Sequence, residues 1–258
     1  MENISYQLSL FERELLEKER NQLVVKSNSL IQKTRYSLST QQQKILLYII
    51  SKIKPEDEAF KTYSFDLKKL CAVCGIETNG KNYQNFKDSI KALHDNSFWL
   101  ETEKKDILIS WLQEVEIDKA ETKVRIRLDE RLKPYLLKVF EDFYSFEFGS
   151  ILLIKSKYSI RLYELFKSFA YKGIVNISIK DLREWLCCET KYEQYKEFNR
   201  NILQKSINEI NRYTDLNISY LPIYAARKVN SITFNISVKD DAEIAILRLE
   251  REGRLYNG

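Results

Sequence analysis

The hydrophobic positions between Asn176 and Ile210 change their period along the chain. Asn-Ile-Ser-Ile reads as a short β-branched strand, and a short helix and a polar turn follow. Tyr195, Phe198, Ile202, Ser206 with Ile207, and Ile210 then fall on one stripe of a long helix. Turned away from that stripe are Lys196, Glu197, Arg200, Asn201, Gln204 and Asn208, which offer charge, donors and acceptors but almost no apolar bulk. This is the layout of a helix-turn-helix, whose second helix can lie in a DNA major groove.

The chain carries a second stretch of the same pattern. Tyr63 to Cys71 matches Ile177 to Leu186, so that Asp66 aligns with Asp181 and Cys71 with Leu186, and Tyr83 and Phe86 match Tyr195 and Phe198. An apolar helix precedes each, with Tyr48 in Leu46–Ile50 and Tyr163 in Ile160–Leu165. Tyr48 stands 18 residues before Asp66, and Tyr163 stands 18 before Asp181. Equal spacing of like elements is what a duplicated domain predicts. The alternative is chance similarity between two amphipathic stretches.

Taken in order, residues 5–20 predict a charged amphipathic helix with Leu8, Phe11 and Leu15 on one side, packed on the first domain or on a partner. Leu23–Ser27 predicts an edge strand, and a helix begins near Asn28. A central core helix capped by Ser39 or Thr40 runs through Ile53 and stops before Pro55. Lys61–Phe65 is a strand, Asp66 caps the next helix, and Gly75 ends it. Helix Lys81–Asp95 turns Lys81, Gln84, Asn85, Asp88 and Lys91 outward, a more mixed face than its downstream counterpart. Strands are expected at Ser97–Leu100, Ile107–Leu112 and Val124–Leu128, with Lys104 and Lys105 at the turn between the first two. A helix-turn-helix followed by a small antiparallel sheet is a winged helix, and those lysines then sit at the wing tip, where they meet phosphates or simply form a polar turn.

The aromatic run Phe140, Phe143, Tyr144, Phe146 and Phe148 is expected to pack between the domains, with stacking on bases as the alternative. In the second domain Leu216–Tyr220 and Ile232–Val238 alternate as strands, and Arg227 and Lys228 at the turn between them match Lys104 and Lys105 in role. The fold class is therefore α+β, two tandem duplicated winged-helix domains. The expected boundaries are a helical extension over 1–22, a first domain over 23–142, a second over 143–240, and a polar tail over 241–258 that frays.

Composition changes this picture little. With 258 residues, 44% hydrophobic and 31% charged, the chain suits two soluble domains, and 42 basic against 37 acidic residues leave +5, which favours a polyanionic partner. No run is long enough to span a bilayer and the Met1-Glu2-Asn3-Ile4 start has no signal-peptide pattern, so a cytoplasmic protein without membrane association is expected. Cys71-x-x-Cys74 and Cys187-Cys188 read as reduced core thiols; a four-cysteine zinc, the alternative, would have to bridge both domains, and no metal or cofactor is expected. A nicking enzyme with a histidine pair is disfavoured by the single histidine, His94.

Three pieces of the chain, Leu38–Lys44, Ser156–Leu165, and Tyr195–Arg200 running into Ile207–Asn211, resemble the initiator replication (Rep) proteins of iteron-containing plasmids. The likeness covers about Val24 to Val238. It implies an initiator without enzymatic activity that binds double-stranded origin repeats (iterons) as a monomer. It also implies promotion of origin opening, recruitment of host initiator and helicase, and a homodimer, in equilibrium with monomer, that represses its own promoter. On that reading Lys196, Arg200, Asn201 and Gln204 read base edges, since Arg or Lys suits guanine and Asn or Gln suits adenine. Lys157, Arg161, Arg227, Lys228, Lys104 and Lys105 neutralise phosphates, with Arg161 having a rival place as an ion-pair partner at the core edge. Lys81, Gln84, Asn85 and Lys91 are the first domain's contacts. A dimeric winged-helix repressor without initiator role fits the same residues.

Overall fold

The computed structural model describes residues 9–54, 56–76, 80–101, 104–118 and 120–257. Helix α1 (Leu10–Arg20) opens on a capping box in which Ser9 Oγ accepts from Glu12 N and the Glu12 carboxylate accepts from Ser9 N. The expected apolar stripe is not what docks it: Phe11 and Leu15 are exposed, and Leu8 lies outside the described residues. The helix instead buries Leu16 and Arg20, while Glu19 reaches Lys52 and Lys69. Strand β1 (Leu23–Ser27) leads to α2 (Asn28–Lys33), capped by Ser27. Helix α3 (Thr40–Ile50) begins at the Ser39/Gln42 capping box and ends three residues earlier than expected, at Ile50. Every residue from Ile45 to Ile50 is buried, so α3 is the central helix of its domain.

Strand β2 (Tyr63–Asp66) turns directly into α4 (Leu67–Val73), whose cap is Asp66, accepting from Lys69 N at 2.8 Å. Gly75, at φ +65°, closes the turn after it. Helix α5 (Gly80–Asp95) is the long second helix of the first helix-turn-helix. Four strands follow rather than three: β3 (Ser97–Glu101), β4 (Asp106–Ser110), β5 (Leu112–Asp118) and β6 (Lys123–Leu128). The expected strand 107–112 breaks at Trp111. That ring turns into the core, 4.6 Å from Phe98 and 4.9 Å from Tyr36, and the chain changes sheet there. β4 pairs only with β3, whereas β5 joins β6 and β2 in the order β2-β6-β5. The wing of the first domain is thus the β5–β6 hairpin. Lys104 and Lys105 sit on a separate hairpin, so they are not the counterparts of Arg227 and Lys228.

A short helix, α6 (Lys133–Leu136), leads to β7 (Phe143–Glu147), which pairs antiparallel with β1. Alternation along β7 splits the aromatic run. Tyr144, Phe146 and Phe148 are buried, with Phe146 5.0 Å from Tyr163 and Phe148 5.3 Å from Tyr48, while Phe140 and Phe143 are exposed. Helix α7 (Lys157–Phe169) follows, and β8 (Ile174–Ser178), α8 (Ile179–Trp185), α9 (Tyr195–Phe198), a π-helical turn (Asn199–Leu203), α10 (Gln204–Tyr213), β9 (Leu216–Ala225) and β10 (Lys228–Val238) make up the second helix-turn-helix and its sheet. Its sheet order, β8-β10-β9, repeats that of the first. The duplication is therefore real, but its register differs by three residues from the sequence match. Helices α4 and α8 are both seven residues long at an offset of 112 (179 − 67), so the cap Asp66 corresponds to the cap Ser178 and not to Asp181, and Cys74 rather than Cys71 stands in the place of Leu186. The cap fixes the frame because its side chain must reach the third residue on: Ser178 Oγ accepts from Asp181 N at 2.9 Å, as Asp66 accepts from Lys69 N.

Cys71 and Cys74 are buried, and burial pushes the Cys71 thiol up to about 11 and the Cys74 thiol further, which keeps both protonated. The tail does not fray. Helix α11 (Asp241–Asn257) docks on β7 through Arg248 and Arg251 to Glu147, and on α1 through Glu252 to Arg20 and Tyr256 to the Arg13 carbonyl. The Arg251 guanidinium lies against Gly149, where a Cβ would force that side chain to shift.

Lys26 of β1 meets Glu164 of α7 at 2.7 Å with both side chains buried, and Tyr144 donates to the same carboxylate at 2.9 Å. Removing one partner of such a pair leaves a buried, uncompensated charge. Lys26→Met is expected to lower unfolding free energy in urea by about 3–5 kcal/mol, and Lys26→Met with Glu164→Gln to recover most of that loss.

Candidate nucleic-acid interface

In the second helix-turn-helix the loop between α8 and α9 is held by Arg183. Its guanidinium donates to the carbonyls of Lys191 (2.7 Å), Tyr192 (2.5 Å) and Glu193 (3.1 Å) and lies 4.7 Å over the Phe198 ring. One side chain thus binds the turn to the helix that follows it. The signal for it in the sequence was only an arginine on an exposed-looking helix, and it was missed. Downstream, Glu209 accepts from the Lys155 and Ser156 amides and Asn211 holds both backbone groups of Ile218. Lys239 donates to the Thr214 carbonyl at 2.7 Å, placing a cation at the C-terminal end of α10.

The π turn widens the helix midway. Ile202 and Leu203 are both fully buried there, and Asn199 is drawn to the Tyr220 hydroxyl at 2.6 Å. Lys196, Arg200 and Gln204 remain exposed on the outer side with Glu197, Lys205 and Asn208, whereas Asn201 is half-buried. Lys205 was not among the expected contacts. At the end of the β9–β10 hairpin, Ala226 and Arg227 form a two-residue turn with φ +47° and +69°. Such a turn ordinarily takes Asn-Gly, so the backbone is strained where Arg227 and Lys228 are displayed.

None of Lys196, Arg200, Lys205, Arg227 and Lys228 has a carboxylate within 4.0 Å among the described residues. The first domain differs. Its helix α5 is the counterpart of α9–α10 at the same offset of 112 (198 − 86), so Asp88 stands where Arg200 stands and Gln84 where Lys196 stands. Gln84 and Asp88 bond to each other at 2.8 Å, and Lys91 pairs with Asp95. Gln84, Asn85 and Lys91 are exposed, and the Lys81 side chain lies outside the described residues. Lys104 and Lys105 are exposed on their own hairpin, and Lys157 donates to Ser37 Oγ at 2.9 Å.

Arg161 is not on this surface at all. It is 4% exposed, donates to the carbonyls of Trp185, Ile31 and Thr34, and stacks 3.9 Å over the Tyr36 ring. The expectation of phosphate contact is corrected: this guanidinium satisfies buried carbonyls from both domains, and a phosphate could reach it only by opening the core. No group of three or more His, Cys, Asp or Glu among the described residues could hold a metal ion, and no described helix is long and apolar enough to cross a membrane.

Two family models match the chain: one described as initiator replication protein, WH1, over residues 23–167, and one described as initiator Rep protein, WH2, over residues 178–236. The chain belongs to this family of Rep initiators. Replication initiation is thus the function class of this Rep protein, and the two winged helices are the family's two domains. Among solved structures it is similar to a crystal structure of RctB domains 2–3, at 13% identity and TM-score 0.46, covering 83% of this chain and 88% of that one. It is also similar to a selenomethionine derivative of RctB domains 2 and 3, at 12% identity and TM-score 0.43, covering 79% and 85%. For this Rep protein the strained wing tip gives a direct stability test. Ala226→Gly is expected to raise unfolding free energy by about 1 kcal/mol, read by thermal or urea unfolding, because glycine takes the positive φ without penalty.

Proposed function

We propose that this Rep protein binds double-stranded DNA sequence-specifically, with the second domain as its main reader. The observation that carries this is the set of five exposed cations on the α9–α10 helix and the second wing without carboxylate partners, set against a first domain whose matching helix has Asp88 in place of Arg200. Uncompensated charge attracts phosphate and releases counterions; charge already paired within the protein does so far less. Lys196, Arg200 and Gln204 read base edges in the major groove, Asn201 contributes from its half-buried place, and Arg227 and Lys228 hold the flanking backbone. Lys205, Lys157, Lys104, Lys105 and the first-domain residues Lys81, Gln84, Asn85 and Lys91 supply further contacts to an extended duplex.

Family membership supports the finer reading: occupation of repeated origin sequences, recruitment of host initiator and helicase, and repression of its own promoter by a dimer. The division into domains over 23–142 and 143–240, between an N-terminal extension and a C-terminal tail, goes with it. The expected outcome of a competition gel shift is that Arg200→Ala weakens specific binding by about 1–3 kcal/mol and relaxes preference at one base position. Arg227→Ala weakens all sequences alike and lowers the salt slope by about 1. Unchanged base preference in Arg200→Ala removes that residue from the reading set. An origin fragment lacking direct repeats but bound equally well removes the iteron reading.

A further inference from the structure

The turn of the second helix-turn-helix runs over residues 186–194, more than twice the roughly three or four residues such a turn ordinarily has, and it holds no glycine. Two of its residues, Cys187 at φ +48° and Tyr192 at φ +55°, nevertheless stand in the left-handed region. A backbone of that kind persists only where its surroundings over-determine it. Arg183 of α8 holds this one at both ends. Its carbonyl accepts from Cys188 N at 3.0 Å at the start of the turn, and its guanidinium donates to the Lys191, Tyr192 and Glu193 carbonyls near the finish. No carboxylate lies within 4.0 Å of it among the described residues, so its hydrogen bonds all go to backbone.

Helix α9 begins just beyond that turn, and its start has no cap of its own. Gln194, at the cap position, makes no side-chain cap hydrogen bond, unlike Ser9, Ser39, Asp66 and Ser178 at other helix starts. What fixes the entry of this helix is therefore the turn. The Arg183 guanidinium also lies 4.7 Å over the ring of Phe198, the buried anchor of α9. Lys196 and Arg200 flank Phe198 in the chain and are exposed, so a shift of the turn moves both with it. Arg183 itself has a firm base, because its neighbour Leu182 is buried and α8 packs on β8 and β10.

We propose that Arg183 is a positioning residue for base reading: it touches no DNA, and it sets where Lys196 and Arg200 enter the groove. This rests on the second domain's helix being the DNA reader. Side chains that bond base edges have to be held within about 0.5 Å of their productive geometry, whereas a long cation beside a phosphate acts through charge and tolerates more movement. Loss of Arg183 therefore removes specificity and leaves general DNA affinity in place. The fold outlasts that loss. Lys191 and Glu193 lie at exposed positions, so their carbonyls take water in place of the guanidinium, and Ile202, Leu203 and Ile210 keep the long helix seated. Charge alone is not what acts here, since lysine carries the same charge without the planar fork that reaches several carbonyls at once.

The probes are a duplex that the native chain selects from a random-sequence pool and a scrambled duplex of the same length and composition. Competition gel shifts over a range of salt compare the native, Arg183→Met and Arg183→Lys chains, and hydrogen exchange follows the Lys191 amide, which donates to the Cys188 carbonyl within the turn. Both variants are expected to exchange there roughly tenfold faster or more, and to discriminate between the duplexes roughly tenfold less well, with scrambled-duplex affinity and salt slope unchanged. Should Arg183→Met melt below the assay temperature, Arg183→Lys carries the same comparison. A salt slope lower by about 1 in Arg183→Met makes this arginine a phosphate contact and overturns the proposal. Full discrimination in Arg183→Lys overturns it as well, because charge then suffices, and so does exchange at the native rate in both variants. A native chain without sequence preference overturns the DNA reading together with this one, whereas a preference that survives in Arg183→Met overturns this one alone.

Discussion

Lys26, on the strand pair β1–β7, meets Glu164 of the helix α7 packed against it. β1 precedes the first winged helix and β7 the second, and they pair with each other in place of joining either domain's sheet. The buried ion pair, the Tyr144 hydroxyl on the same carboxylate, and the Lys26 ammonium 5.4 Å from the Trp111 ring tie this strand pair to α7 and to the corner of the first sheet. A buried pair of this kind adds little net stability over an apolar replacement, but it penalises any packing in which one partner loses the other. It disfavours arrangements that separate α7 from β1 and β7. Arg161, one helical turn before Glu164, adds to that by bonding carbonyls of Ile31 and Thr34 in the first domain and Trp185 in the second.

With that arrangement fixed, the two duplicated units have diverged in charge while keeping their frame. The frame is set by short polar devices: the caps Asp66 and Ser178, and the arginine that holds the second turn. These have to stay because they satisfy backbone groups at helix ends. Outer faces are under no such constraint. In the first domain they carry compensated charge, on α5 and on the sheet alike. In the second, the helix and the tip of the wing carry cations without carboxylate partners. One fold thus carries paired charge in its first copy and unpaired cations in its second.

Helices α1 and α11 pack on each other, and α11 packs on β7. Glu147 receives Arg248 and Arg251 of α11, and Glu252 receives Arg20 of α1, so arginine–carboxylate contacts hold α11 against β7 and α1 against α11. Because the bonds are polar, the helices leave apolar residues outside: Phe11 is 67% exposed and Leu249 77%.

The sequence by itself determined the duplication, the winged-helix class, the caps at Ser39 and Asp66, the end at Gly75 and the outward set Lys196, Arg200 and Gln204, because periodicity and capping are local properties of a few consecutive residues. It misled where two local patterns were both allowed. The apolar alternation of Val175, Ile177 and Ile179 permitted a match shifted by three residues, and the run from Ile107 to Leu112 read as one strand although Trp111 turns inward. Tertiary structure alone decided that Arg161 is buried and that Lys104 and Lys105 lie off the wing. It alone decided that the tail docks and that the π turn interrupts the long helix. Each of those depends on which distant carbonyl, carboxylate or ring lies within reach of a side chain, and that is set by how the two domains meet rather than by the residues next to it in the chain.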